Sequence, residues 1–133
     1  MPTLSLTVLN LESPGGSVQS FGQHDITVGR RSYNMLALPD EHISRRHGLI
    51  RWALGCYAYA DLDSLNGSSV VRGQEHIVLG RNGRQRVMLQ QGDLLVLGDP
   101  DRPVCISVEI CASENRQQAA RTTAFLGNPR QAP

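Results

Sequence analysis

Residues 43–62 read Ile43-Ser44-Arg45-Arg46-His47-Gly48-Leu49-Ile50-Arg51-Trp52-Ala53-Leu54-Gly55-Cys56-Tyr57-Ala58-Tyr59-Ala60-Asp61-Leu62. Two short apolar segments, 47–54 and 57–62, are separated by a glycine, which is the length and punctuation of short strands rather than of a helix. A polar, basic cluster, Ser44-Arg45-Arg46-His47, stands before the first segment, where a strand protein places a loop.

The same rhythm runs outward in both directions. Apolar alternating segments are read at 4–9, 25–29, 69–72, 86–90, 94–97 and 104–111, and no convincing helical stretch interrupts them. Between them lie turn signals: Ser13-Pro14-Gly15-Gly16, Asn66-Gly67, Asn82-Gly83, Gln91-Gly92-Asp93 and Gly98-Asp99-Pro100. Regular short strands with this punctuation predict an all-β sandwich or barrel. From residue 112 the composition shifts to Gln, Ala, Arg, Asn and Pro, with only Phe125 and Leu126 as large apolar residues. The expected division is one domain over 1–111 and a tail over 112–133, flexible or partly helical through Glu114 to Phe125.

Composition narrows the class. A chain of 133 residues supports one core, and 40% hydrophobic with 19% charged residues fits a globular protein rather than a disordered one. No apolar run reaches the roughly 20 residues of a membrane span. Residues 1–9 lack the positive start and continuous apolar stretch of a secretory signal, so a cytoplasmic location is expected. Net charge is +1, which gives no global attraction to nucleic acid or anionic membrane. The bases are arginines, the side chain that grips phosphate with a planar fork of donors. Cys56, Cys105 and Cys111 are an odd set without metal-ligand spacing and are expected as reduced core residues, with no metal and no cofactor.

Polar residues concentrate in three short clusters at predicted loops: Gly29-Arg30, Ser44-Arg45-Arg46-His47, and Ser64-Leu65-Asn66-Gly67. Taken with Asn34, Leu36, Leu38-Pro39-Asp40, Ile43 and Asp61-Leu62, their order and spacing resemble the forkhead-associated (FHA) domain. Downstream, Gln91-Gly92-Asp93 followed by 94–98 is similar to that family's late turn and strand, so the resemblance covers roughly residues 3–111.

The resemblance implies an antiparallel two-sheet β-sandwich of the FHA/SMAD type that presents loops at one end to a phosphothreonine peptide. A phosphothreonine carries about −1.5 to −2 charges and three acceptor oxygens at neutral pH, so it needs charged donors. Carried over residue by residue, Arg30 places its guanidinium on the phosphate, Ser44 donates its hydroxyl, with a backbone N–H as a further candidate donor, and Arg45 adds a second positive charge. Adjacent Arg46 offers another guanidinium, but motif position favours Arg45. Asn66 clamps the peptide backbone, because an amide side chain both donates and accepts. Leu65 stands where many relatives carry a Thr or Ser that adds a phosphate contact; leucine has no side-chain donor, so that contact is lost or supplied by backbone. His42 matches a family determinant for the residue three places after the phosphothreonine. Gly29, His47 and Gly67 are expected to support the site, His47 by bonding backbone between the Ser44 and Asn66 loops.

Plainer readings exist: Arg30 as a solvated arginine, and Ser44 and Asn66 as turn residues bonding nearby backbone. Arg81, Arg84 and Arg86 form a local basic patch that reads most simply as a solvated loop. Ser44 with His47 suggests a nucleophile and base, yet no orienting acid or Gly-x-Ser-x-Gly elbow accompanies them, so no enzyme activity is expected. The implied partners are a phosphothreonine-containing protein or peptide and a Ser/Thr protein kinase, with no nucleic acid and no membrane. A phosphate-independent FHA-like scaffold for protein assembly is the alternative. Finally, some small bacterial relatives carry a terminal Thr-Thr segment that is phosphorylated and binds back, which makes Thr122 and Thr123 candidate phosphorylation sites here.

Overall fold

The computed structural model describes residues 2–11, 18–81 and 83–112; the expected tail, with Thr122 and Thr123, lies outside them. The described residues form eleven strands and no helix: β1 (Pro2–Val8), β2 (Val18–Phe21), β3 (Ile26–Gly29), β4 (Leu36–Ala37), β5 (Gly48–Ala53), β6 (Cys56–Asp61), β7 (Ser68–Arg72), β8 (Glu75–Leu79), β9 (Arg86–Met88), β10 (Leu94–Leu97) and β11 (Val104–Ala112). They assemble into two sheets, one ordered β2-β1-β11-β10-β7-β8 and the other β4-β3-β5-β6-β9. Every pairing between named strands is antiparallel except β3 with β4, which run parallel. This is the expected sandwich, with one parallel pair at its margin.

Alternation along each strand decides which face is buried. Leu4, Leu6 and Val8 of β1, Ile106 and Val108 of β11 and Leu95 and Leu97 of β10 face inward from the first sheet. Ile26 and Val28 of β3, Ile50 of β5 and Tyr57 and Tyr59 of β6 meet them from the second. Outward positions on β7, β8 and β10, such as Ser69, Val78 and Val96, remain partly or fully exposed. The two tyrosines reconcile a polar tip with a buried ring by bonding: the Tyr57 hydroxyl donates to the Gly22 carbonyl at 3.0 Å, and that of Tyr59 meets the Ser68 hydroxyl at 2.8 Å.

Three strands escape the sequence reading. β2 (Val18–Phe21) is short and on an edge, with little burial to impose a pattern. β4 has two residues. β8 contains the unbroken run Ile77-Val78-Leu79, of which Ile77 and Leu79 are buried while Val78 is exposed, so strict alternation is obscured in the sequence although present in space. The segment read as 47–54 ends earlier: Leu54 and Gly55 form the two-residue turn between β5 and β6, both with positive φ (54° and 79°). The cysteines are free, as expected, but half-buried instead of core residues, because each sits at a position that alternation turns outward.

Late in the chain, Asp93 is buried and fully engaged. Arg72 reaches its two carboxylate oxygens at 2.8 and 2.9 Å, and the Gln90 amide adds a bond at 2.8 Å. That fork ties β7 to the 91–93 turn, and the Asp93 carboxylate raises the Arg72 pKa above its ordinary value.

Candidate functional site

Three loops meet at one end of the sandwich. The first leaves β3 at Gly29, the second enters β5 at His47, and the third joins β6 to β7 through residues 62–67. Strand register brings them together, since Val28 pairs with Gly48 and Gly48 pairs with Asp61. Backbone bonds then bind the loop bases: the Arg30 amide donates to the Ser44 carbonyl at 3.0 Å, the His47 amide to Val28 at 2.8 Å, and the Leu62 amide to the His47 carbonyl at 2.9 Å.

Arg30, His42, Ser44, Arg45, Leu65 and Asn66 all line one open cavity of about 330 Å³. Ile43 forms part of its wall, and Glu41 is the only carboxylate residue on it. The Arg30 Nη1 reaches the Glu41 carbonyl only at 3.4 Å, so the rest of its guanidinium is available to a ligand. Among the described residues, the exposed Arg45 and Arg46 guanidinium groups have no ion-pair or hydrogen-bond partner, and Arg46 does not line the cavity. Two arginines against one glutamate leave the rim positively biased in a molecule of net charge +1.

The donor inventory at Ser44 is specific. Its backbone amide is committed to Nδ1 of His47 at 3.0 Å. Its hydroxyl oxygen accepts the Leu65 amide at 3.1 Å, which orients the group and leaves the hydroxyl proton to be donated. Leu65 therefore offers a ligand neither a side-chain donor nor an uncommitted amide. Asn66 donates from Nδ2 to the His42 carbonyl at 2.9 Å, fastening the third loop to the second, while no described residue donates to its Oδ1.

Beneath the rim, His47 is fully buried. Nδ1 receives an N–H and so must be unprotonated, which makes Nε2 the proton carrier; it donates to the Gly67 carbonyl at 2.8 Å. Burial lowers the His47 pKa below 6.5, outweighing the upward pull of the Gly67 carbonyl and of Asp61, whose Oδ1 lies 3.7 Å from Nε2. The ring is thus a neutral strut between the second and third loops.

A polar network supports the third loop, joining Asp61 and Ser64 of the family pattern to Ser68 and Tyr59, which the sequence did not single out. The buried Asp61 carboxylate accepts from the Ser64 amide (2.9 Å), the Ser64 hydroxyl (2.7 Å) and the Ser68 hydroxyl (2.5 Å). Ser64 Oγ in turn accepts the Gly67 amide at 2.9 Å, closing the turn that carries Asn66. Tyr59 completes it, its hydroxyl passing over Gly48 where any Cβ would sit 2.2 Å away. Ser68 and Tyr59 are inconspicuous in sequence; only the register of β5, β6 and β7 makes them one cluster with Asp61 and Ser64.

Asn34 performs the matching task on the first loop. Its Nδ2 donates to the carbonyls of Arg31 (2.9 Å) and Arg45 (2.8 Å), coupling the Arg30 loop to the Arg45 loop. Gly29 is required by this closeness, since a Cβ there would lie 2.1 Å from the Arg45 carbonyl oxygen. Gly67 is required for a different reason, its φ of 78°. Of the remaining polar candidates, Arg81 is paired with Asp63 at 2.9 Å and, like Arg84 and Arg86, lies outside the cavity. No group of His, Cys, Asp and Glu suited to a metal ion occurs among the described residues.

Comparison with known proteins is consistent in direction. The family model described as FHA domain matches residues 26–98. Among solved structures, one from work on phosphothreonine-dependent FHA domain interactions is 27% identical, with a TM-score of 0.61, covering 80% of this chain and 95% of that one. The FhaA FHA domain, solved in complex with the intracellular domain of Rv3910, is also 27% identical, with a TM-score of 0.60 and coverage of 80% and 99%. An FHA domain of an Arabidopsis thaliana hypothetical protein is 26% identical, with a TM-score of 0.68 and coverage of 84% and 88%. A search of the curated proteins found no match.

Proposed function

Because the chain belongs to the FHA family, we propose that it is a non-catalytic module that binds phosphothreonine peptides in Ser/Thr phosphorylation signalling, through the cavity lined by Arg30, Ser44, Arg45 and Asn66. The observation that carries this reading is the convergence of two arginines and an oriented serine hydroxyl on one open cavity. A phosphate ester offers about −1.5 to −2 charges and acceptor oxygens, and the two guanidinium groups and the Ser44 hydroxyl proton supply the donors it needs.

Roles follow from the bonding. Arg30 supplies the guanidinium fork, held in place by its own backbone bond to Ser44 and free at most of its side-chain nitrogens. Ser44 donates its hydroxyl proton, since Leu65 already occupies an oxygen lone pair. Asn66 presents Oδ1 to a ligand backbone N–H while Nδ2 holds the His42 carbonyl. Each charge-assisted bond contributes about 1.5–3 kcal/mol. The mark on the ligand is written by a Ser/Thr protein kinase. If Thr122 or Thr123 carries such a mark, a short tether provides a roughly millimolar effective concentration for binding in cis.

A phosphate-independent assembly role is favoured by one feature, the apolar and fully committed Leu65. A phosphothreonine peptide library and its dephosphorylated counterpart separate the two. Binding confined to the phosphorylated library supports phosphate reading; equal binding of both assigns the rim to assembly.

A further inference from the structure

The third loop carries a chemically reactive pair. Asn66-Gly67 is one of two Asn-Gly pairs in the sequence, the other being Asn82-Gly83. In such a pair the backbone nitrogen after the asparagine is a nucleophile and the side-chain amide carbon an electrophile, and glycine has no side chain to obstruct their approach. Asn66 is exposed, so water reaches it.

The fold ties both reacting groups to other partners. Asn66 Nδ2 donates to the His42 carbonyl at 2.9 Å, which holds the side chain on the second loop. The Gly67 amide donates to Ser64 Oγ at 2.9 Å, and that hydroxyl is fixed by donating in turn to Asp61 Oδ1 at 2.7 Å. The Gly67 carbonyl accepts from His47 Nε2 at 2.8 Å. Attack therefore needs an opening in which the Asn66–His42 and Gly67–Ser64 bonds both break. Each is one bond in a surface loop, so the opening is local and costs far less free energy than unfolding the sandwich.

We propose that Asn66 is a self-modification site whose conversion closes the phosphopeptide cavity, with the Ser64 hydroxyl setting the rate. In the open loop, hydroxide takes the Gly67 amide proton. The nitrogen then bonds to Asn66 Cγ, the Cγ–Nδ2 bond breaks, and Nδ2 leaves as ammonia with a proton from water. Water opens the resulting five-membered succinimide at either carbonyl, leaving aspartate or isoaspartate at 66. The sum is amide plus water giving carboxylate plus ammonium.

The product suits an anionic ligand poorly. Arg30 and Arg45 share their cavity with one carboxylate residue, Glu41; conversion adds a second and takes the formal net charge from +1 to 0. The new carboxylate has no N–H for the His42 carbonyl and repels a phosphate dianion. A peptide backbone bound at Asn66 Oδ1 keeps the loop shut, so occupied protein is protected. Silencing and protection rest on the phosphothreonine reading above; the conversion itself does not.

The test incubates the full chain at mildly alkaline pH, native and unfolded in urea, and maps position 66 by mass spectrometry, which separates it from Asn82-Gly83. Expected is conversion in the native protein, at a rate at least about tenfold below that in urea and raised about threefold to tenfold in Ser64→Ala, the rate equivalent of one hydrogen bond. A saturating phosphothreonine peptide should slow it further. The converted fraction, isolated by anion exchange, and Asn66→Asp should both unfold near the wild-type temperature yet bind phosphopeptide about tenfold or more weakly. Native protein that stays unmodified at 66 while the unfolded chain converts fully overturns the site. Equal rates in the two states, or in folded Ser64→Ala and wild type, overturn the gate; should Ser64→Ala not fold, equal wild-type rates with and without the peptide do so. Converted protein that binds like the wild type overturns the silencing. Failure of fresh wild type to bind any phosphopeptide overturns the phosphothreonine reading and the silencing together, while the mass map still decides the conversion.

Discussion

The amide of Ser44 donates to Nδ1 of His47 at 3.0 Å, although the two residues flank a two-arginine turn whose side chains point to solvent. That bond makes the imidazole an acceptor on one side and, through Nε2 and Gly67, a donor on the other. One buried neutral ring therefore links the second and third loops of the rim.

Replacing His47 by Ala is expected to destabilise the fold by about 2–4 kcal/mol, because it leaves the Ser44 amide and the Gly67 carbonyl without partners and opens a cavity. Denaturant unfolding of the purified variant measures this directly. His47→Gln, which retains a donor and an acceptor, should recover part of the loss.

Acid stability follows from the same ring. Its pKa in the folded protein lies below 6.5, so as pH falls the unfolded chain takes up the proton first. The contribution of His47 is complete above pH 6.5 and is lost progressively between there and the lower folded-state value, since an imidazolium would present an N–H to the Ser44 amide. Midpoints from urea unfolding between pH 7.5 and 5 should fall more steeply for the wild type than for His47→Gln; parallel curves would contradict this.

Much of the architecture was legible because burial imposes a period of two on long central strands such as β1, β5 and β11, and because Asn66-Gly67 and Gln91-Gly92-Asp93 punctuate the chain. Edge strand β2 and two-residue β4 carry too little buried surface to leave that signature. At the site, the arginines, Ser44 and Asn66 stood out as polar clusters at strand ends. Asp61 and Ser64 belonged to the family pattern too, but their network with Ser68 and Tyr59 was not legible, since its members come from different strands and meet only through register.

Leu54 occupies a left-handed turn position at a φ of 54° and is fully exposed. A leucine pays a steric penalty there that asparagine largely avoids. Leu54→Asn is expected to raise stability by about 0.5–1 kcal/mol, read as a higher melting temperature, with phosphopeptide affinity unchanged because the turn lies at the other end of β5 from His47.

Recognition of a phosphate dianion has its own pH dependence. The second ionisation of phosphothreonine lies near about pH 6, so affinity should weaken as pH drops from 7.5 to 5. Titrations at a temperature where the protein stays folded throughout that range check it; a flat profile would argue against a dianion in the Arg30 cavity.

The central claim is that the rim holds a phosphothreonine peptide, its phosphate at Arg30, Ser44 and Arg45 and its backbone at Asn66. Backbone amide NMR of the full chain, titrated with a phosphothreonine peptide and with its unphosphorylated form, tests it most directly. The account predicts saturable shifts at Arg30, His42, Ser44, Leu65 and Asn66 with the phosphorylated peptide only, and their loss, with the fold retained, in Arg30→Ala. Shifts clustered elsewhere on the sandwich, or equal shifts with both peptides, would contradict it.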